Sequence, residues 1–275
     1  MNTSFHPSPL TILRATMLGT VLFVSNIKAQ EAVPKAKDLA SRLSSALQDG
    51  SSKVLLKMET KSSAGGSGTK LQLRIMARRT KASTEVIYEV LYPKDRKGEC
   101  VLLRKSAGEA ASGTLFTPPA TLRPIPSSQM QEGIFGSDLA YGDLVENFFS
   151  WPSQEIVGAE TVDRIPCQIL ESKPGKGDRS GYGRVLSWID VKKLVPMRVE
   201  KYLSSGQMAR RIDTTRVAKD DTDRAVAASL IVRRPLQASE TELEGSNSRH
   251  DVSYQDGDFT PEALRARSGQ GAQEK

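Results

Sequence analysis

Hydrophobic and polar residues alternate along most of this chain. In KVLLKMET, Val54, Leu56 and Met58 share one side; in KLQLRIMARR, Leu71, Leu73, Ile75 and Ala77 oppose Gln72, Arg74 and Arg78. STEVIYEVLYP continues the pattern, with Val86, Tyr88, Val90 and Tyr92 set against Glu85 and Glu89. A period of two sends successive side chains to opposite faces of a strand, so each segment is predicted as a strand with one apolar side. AGGSG reads as a glycine-rich hairpin loop between the first two, and GECVLLRKS and SGTLFTP add further strands. Later, SQEIVGAETVDRIPCQILESKPG reads as two strands around a VDRI turn. GYGRVLSWIDVKKLVPMRVEKYLSSGQMARRIDTTRVAKD reads as three more. Short strands in series with tight polar turns predict an antiparallel meander.

The period changes in three places. PKAKDLASRLSSALQDG repeats Ala36, Leu39, Ala40, Leu43 and Leu47 at helical spacing. FTPEALR is a short helix with Thr260 at N-cap and Pro261 at N1, in a terminal region that otherwise reads as less ordered. The third is GSDLAYGDLVENFF, Gly136 to Phe149. Asp143 followed by Glu146 is a capping-box spacing, and Asp138 is placed to cap an earlier turn. Leu144 and Phe148, with Val145 and Phe149, make an apolar stripe. One or two short helices are predicted, whose apolar face must lie on the sheet. The fold expected is α+β: a curved antiparallel sheet, an unclosed half-barrel, with short helices packed over its concave face as a lid.

Composition narrows the chemistry. The opening residues resemble an export signal, with Arg14 closing a polar stretch, ATMLGTVLFVS as an apolar core and IKA before Gln30. The expected organisation is a signal peptide over 1–29, one domain over 30–265 and a disordered tail over 266–275. That places the mature protein in the periplasm. The formal charge of +7 comes without a dense basic cluster interleaved with aromatics, which argues against nucleic-acid binding. His6 leaves with the signal, so the mature chain holds only His250, and no GxSxG stands ready to receive it. No catalytic residue, metal site or cofactor is assigned, and no enzyme activity is expected. The two cysteines, Cys100 and Cys167, either pair in an oxidising compartment or remain as two buried thiols. KPGKGDRSG lacks the order of a phosphate loop and reads as a solvated hairpin end.

TLRPIPSSQMQEGIFGSDLAYGDL, then EIVGAETVDRIPCQILESKP, then YGRVLSWIDVKKLVPMRVEKYLSSGQMARRI carry a resemblance. They are similar to outer-membrane lipoprotein-sorting proteins, the LolA-like group with its treponemal uncharacterised-domain branch. The shared features run in order: a strand with Arg123, the GSDxxYxD insert, a strand pair ending in Pro-Cys, a WID strand, VPMRVEKYxxxG and FTPEAL. Gly142 departs from the pattern, where the family more often has an acidic residue, and loosens the turn.

The resemblance implies a periplasmic carrier that holds acyl chains of lipoproteins or other lipids in an apolar cavity and helps sort them toward the outer membrane. An inner-membrane transporter and an outer-membrane acceptor are the implied partners, and the chain is expected to act as a monomer. On this reading the sheet contacts would be Leu56, Leu71, Leu73, Ile75, Val86, Tyr88 and Val90. The lid would add Leu139, Tyr141, Leu144, Phe148 and Phe149, with Arg123 and Asp143 as its latch. Each buried methylene is worth about 0.8 kcal/mol, so an acyl chain needs no polar anchor. The alternative on the same fold is a non-carrier envelope interaction or sensor module with a closed core.

Overall fold

The computed structural model describes residues 35–48, 50–62 and 68–270. The expected signal peptide, most of the AGGSG loop and the chain after 270 lie outside the described residues. An opening helix α1 (Ala36–Leu47) precedes β1 (Gly50–Ser62), β2 (Lys70–Arg79), β3 (Ser83–Tyr92), β4 (Cys100–Ser106), β5 (Ser112–Thr117) and β6 (Thr121–Ile125). After the insert come β7 (Ser153–Val162), β8 (Ile165–Lys173), β9 (Arg184–Asp190), β10 (Val195–Tyr202), β11 (Met208–Lys219), β12 (Ala225–Arg234) and β13 (Ser239–His250). Helix α2 (Pro261–Gln270) ends the described chain. The structure is therefore mostly β with minor helix, rather than α+β. Among the described residues, no helix is long and apolar enough to cross a membrane.

All strands join one antiparallel sheet of thirteen, in the order β6-β5-β4-β3-β2-β1-β13-β12-β11-β10-β9-β8-β7, and the sheet does not close. It is two meanders that grow outward from the β1–β13 pair. The expected alternation sets the register: Leu56 faces Leu73, Met58 faces Leu71, and on the other side Met58 faces Leu243. These residues, with Val86, Val90, Val101, Leu103 and Val232, form the buried inner face.

Two strands were not expected. β12 and β13 occupy the region read as less ordered, yet they join the two meanders into one sheet. β13 hides its period because it alternates threonine and leucine with glutamate, and only Thr241 and Leu243 are buried along its length.

The topology explains the insert. β6 and β7 are consecutive in the chain but stand at opposite edges of the sheet, so residues 126–152 must cross from one edge to the other. They cross the inner face. Met130, Ile134, Tyr141 and Val145 pack on the first meander. Phe148, Phe149 and Trp151 pack with Leu39, Ala40 and Leu43 of α1 over the second. Burial of this apolar stripe, more than helix propensity, holds α1 in place.

Helix α2 lies on the outer face instead. Phe259 and Leu264 are fully buried against Met76, Ile87, Cys100, Leu102 and Phe116. Thr260 caps α2 as expected, its hydroxyl accepting the Ala263 amide at 3.2 Å. The helix runs to Gln270, into the stretch expected as a tail.

The possible Cys100–Cys167 disulfide is not formed; both are free, buried thiols. Cys100 sits in β4 under α2, whereas Cys167 sits in β8 with Trp188 and Met197, in a separate cluster far across the sheet.

Candidate functional site

The insert is built from single 3-10 turns at Ser127–Gln129, Ile134–Gly136, Gly142–Leu144 and Phe148–Ser150, rather than from one or two helices. Its glycines stop any helix from propagating. Gly133 bridges to Ala140, and a Cβ there would lie 1.6 Å from the Ser137 carbonyl oxygen. Gly136 adopts φ +82°, a left-handed value natural only to glycine. Gly142 approaches Met130 closely, donating its amide to the Met130 carbonyl at 2.9 Å.

The capping box does not form. The Glu146 carboxylate instead meets Lys105 Nζ at 2.7 Å and accepts from Trp151 Nε1 at 3.0 Å. Asp138 caps no turn either. Its carboxylate accepts from the hydroxyls of Ser239 and Thr241, at 2.5 and 2.8 Å, which ties the insert to β13.

Asp143 makes the other tie, and its partners differ from the expected latch. Arg123 does not meet Asp143; it donates weakly to Gln129 Oε1, in the first turn of the insert, at 3.5 Å. Asp143 accepts from Lys201 Nζ at 2.8 Å and from the Tyr182 hydroxyl at 2.7 Å, and Arg210 Nε lies 3.4 Å from its second oxygen. Lys201 and Arg210 face each other across β10 and β11, so two adjacent cations share the inner face beneath the insert. All three charged side chains are buried. Burial pushes the Asp143 carboxyl up, but Lys201 and Arg210 pull it further down, and it stays below its ordinary value. Tyr182 goes the other way, raised by burial and by Asp143. Arg210 also donates to the Asp138 and Gln131 carbonyls, to the Gln131 side chain and to the Tyr182 hydroxyl. No residue pattern flagged Lys201 or Arg210; in the linear sequence they are ordinary strand cations.

Between insert and sheet lies a cavity of about 390 Å³, within the size range of ligand pockets. Of the expected contacts, Leu56, Ile75, Tyr88, Leu139, Leu144, Phe148 and Phe149 line it. Leu71, Leu73, Val86, Val90 and Tyr141 do not; they belong to the filled core beside it. The far wall comes from residues not singled out: Val199, Ile212, Leu230 and Leu243. In SLIVRR three apolar residues are consecutive, so no two-residue alternation singled out Leu230. At one end, Gln48, Thr84, Glu146 and Asn147 border both this cavity and a polar cleft of about 1040 Å³. The KPGKGDRSG loop is a connection between β8 and β9, and its Gly175–Arg179 part lines that cleft.

Other reactive side chains are engaged or muted. Burial pushes the Cys100 thiol up to about 12 and raises Cys167 as well. Buried thiols of this kind are structural. His250 bonds Asp221 through its ring and backbone nitrogens and lies 3.6 Å from Asp220. Asp220 also organises the turn through the Thr222 and Arg224 amides.

A family model described as an uncharacterized protein, of the "-like" kind, matches residues 82–266, more than half of the chain. No curated protein matches the sequence. Among solved structures, a DUF1329 family protein from Desulfovibrio piger superposes with a TM-score of 0.76 at 23% identity, covering 83% of this chain and 97% of that one. An outer membrane lipoprotein-sorting protein domain from Vibrio parahaemolyticus gives 0.75 at 19%, covering 84% and 98%. A LolA superfamily protein from Nitrosomonas europaea gives 0.67 at 19%, covering 84% and 100%. At such identities the likeness is one of fold. The chain belongs to this uncharacterized-protein family, and its fold is the LolA-like one of outer membrane lipoprotein-sorting domains.

Proposed function

We propose that this protein is a periplasmic carrier of acyl chains, those of lipoproteins or of other lipids. The sheet acts as an open half-barrel, and the insert with α1 acts as its lid. The observation that carries this reading is the unfilled apolar cavity between Leu56, Ile75 and Leu230 on the sheet and Leu144, Phe148 and Phe149 on the insert. Protein interiors are otherwise close-packed, so an unfilled space of this size invites a ligand. A chain placed there would exchange water for apolar walls on two sides. The description of the Vibrio parahaemolyticus structure as an outer membrane lipoprotein-sorting protein domain supports the same reading. Delivery would run from an inner-membrane transporter to an outer-membrane acceptor, with the carrier acting as a monomer.

A carrier must also let go. The most buried polar ties of the insert are Asp138 to β13 and Asp143 to β10 and β11. Further side-chain contacts run from Glu146 to Lys105, from Gln131 to Arg210 and from Asn147 to Ser44, but no strand ladder joins the insert to the sheet, so it can lift by exchanging side-chain contacts.

The second reading is a non-carrier envelope module with a closed core. It draws on the tight packing of Leu71, Leu73, Val86 and Val90. A photo-crosslinking amino acid at Leu56, in protein expressed in its native host, separates the two. Adducts with an acylated peptide or a lipid, identified by mass spectrometry, support the carrier. The same probe at Leu73 is expected to give only intramolecular products. If Leu56 does so too, the closed-core module stands.

A further inference from the structure

Arg79 is the last residue of β2, opposite Thr84 of β3. Two-residue alternation with Ile75 and Ala77 sends its side chain to the inner face, and it lines the cavity. The other inner-face cations near the insert are committed: Lys201 and Arg210 to Asp143, Lys105 to Glu146. Among the described residues, the Arg79 side chain has neither a hydrogen bond nor an ion pair. The group it acts on electrostatically is Tyr88, which also lines the cavity and whose hydroxyl makes no hydrogen bond among the described residues. Arg79 is half-buried, and the surrounding protein lowers its pKa by burial. Arginine starts so high that the group stays charged at neutral pH. A half-buried guanidinium facing an apolar cavity without a protein acceptor is poorly solvated on that side, and an incoming oxyanion would supply the missing acceptor.

Its position along the cavity matters as much. Thr84, its strand partner, borders both cavity and polar cleft, and the following Thr80 and Lys81 line the cleft. Arg79 therefore stands where the apolar space meets the wet one.

We infer that the occupant is a chain-bearing amphiphile with an anionic head, a carboxylate or a phosphate, whose head is received by Arg79 and the Tyr88 hydroxyl at the mouth while its chain lies between Leu56, Leu144 and Leu230. The inference rests on the carrier reading and names its cargo class. A planar guanidinium suits both heads, because it presents paired donors to two oxygens. A neutral acyl head offers no such match.

The test displaces a neutral apolar fluorophore, N-phenyl-1-naphthylamine, from the purified full chain with ten-carbon ligands: decanoate, decyl phosphate and decanol. At least one anion is expected to compete at about tenfold lower concentration than decanol, the worth of one charge-assisted contact. Which anion wins separates a fatty carboxylate from a phosphate head. In Arg79→Met the advantage is expected to vanish while decanol binding holds, and Arg79→Lys is expected to restore part of it. Equal competition by all three in the wild type overturns the inference and leaves the carrier standing, as does an anion preference that survives in a folded Arg79→Met. Failure of the fluorophore and all three ligands to bind removes the carrier reading and this inference with it.

Discussion

Asp143 sets one insert carboxylate against two buried cations, Lys201 and Arg210. It neutralises Lys201 and Arg210 inside the molecule, where removing one partner of a buried pair costs about 3–5 kcal/mol. Asp143→Asn is expected to lose stability on that scale, read by urea denaturation, whereas Arg123→Ala is expected to change little. Because the folded carboxyl is held below its ordinary value, its contribution is complete above the unfolded carboxylate range, near pH 4. It fades as pH falls through the lower folded value. An acid titration of stability is expected to show this loss in the wild type and a flatter acid limb in Asp143→Asn. At the cysteines, burial and raised thiol pKa predict silence toward a thiol reagent such as DTNB in the native state. Both thiols are expected to react once the chain is denatured.

At the scale of elements, the insert shows why helical spacing misled. Leu144, Val145, Phe148 and Phe149 do all face the protein, but glycines at 133, 136 and 142 divide the segment into single turns. The apolar positions were legible and the conformation was not, because a tight bridge between Gly133 and Ala140 is a long-range constraint on a short loop. Gly133→Ala forces a Cβ onto the Ser137 carbonyl. The expected cost is about 1–3 kcal/mol, with faster protease cleavage within residues 126–152. The strands were easier to read. β1 to β3 have one face apolar and the other mostly polar or charged, apart from Met76 and Ile87 beneath α2, so register follows from burial. β13 escaped notice since its buried residues are few and its neighbours acidic.

For the whole molecule, the decisive feature is that consecutive strands β6 and β7 stand at opposite edges. The connecting segment must cross thirteen strands' width over one face, and the cavity is what remains beneath it. Leu56→Trp should fill that space from the sheet side. The expected outcome is a roughly tenfold loss of N-phenyl-1-naphthylamine affinity, about 1.4 kcal/mol, with little change in melting temperature. Unchanged affinity would place the fluorophore elsewhere.

The amino-acid sequence determined the antiparallel, strand-rich class, the apolar faces of β1 to β3, the opening helix and the Thr260 cap, because each depends on neighbours a few residues away. It also marked residues 136–149 as a segment needing apolar cover. Only the tertiary structure decided that β1 and β13 join two meanders and that Asp143 meets Lys201 and Arg210 rather than Arg123. The same holds for which apolar residues stay exposed to a cavity and which are packed shut. Ile75 and Leu73 are alike in sequence, two residues apart on the same face, yet one borders empty space and the other is core. That difference is set by what lies across from them, and the crossing of the insert over the sheet is a property of the closed chain path rather than of any local pattern.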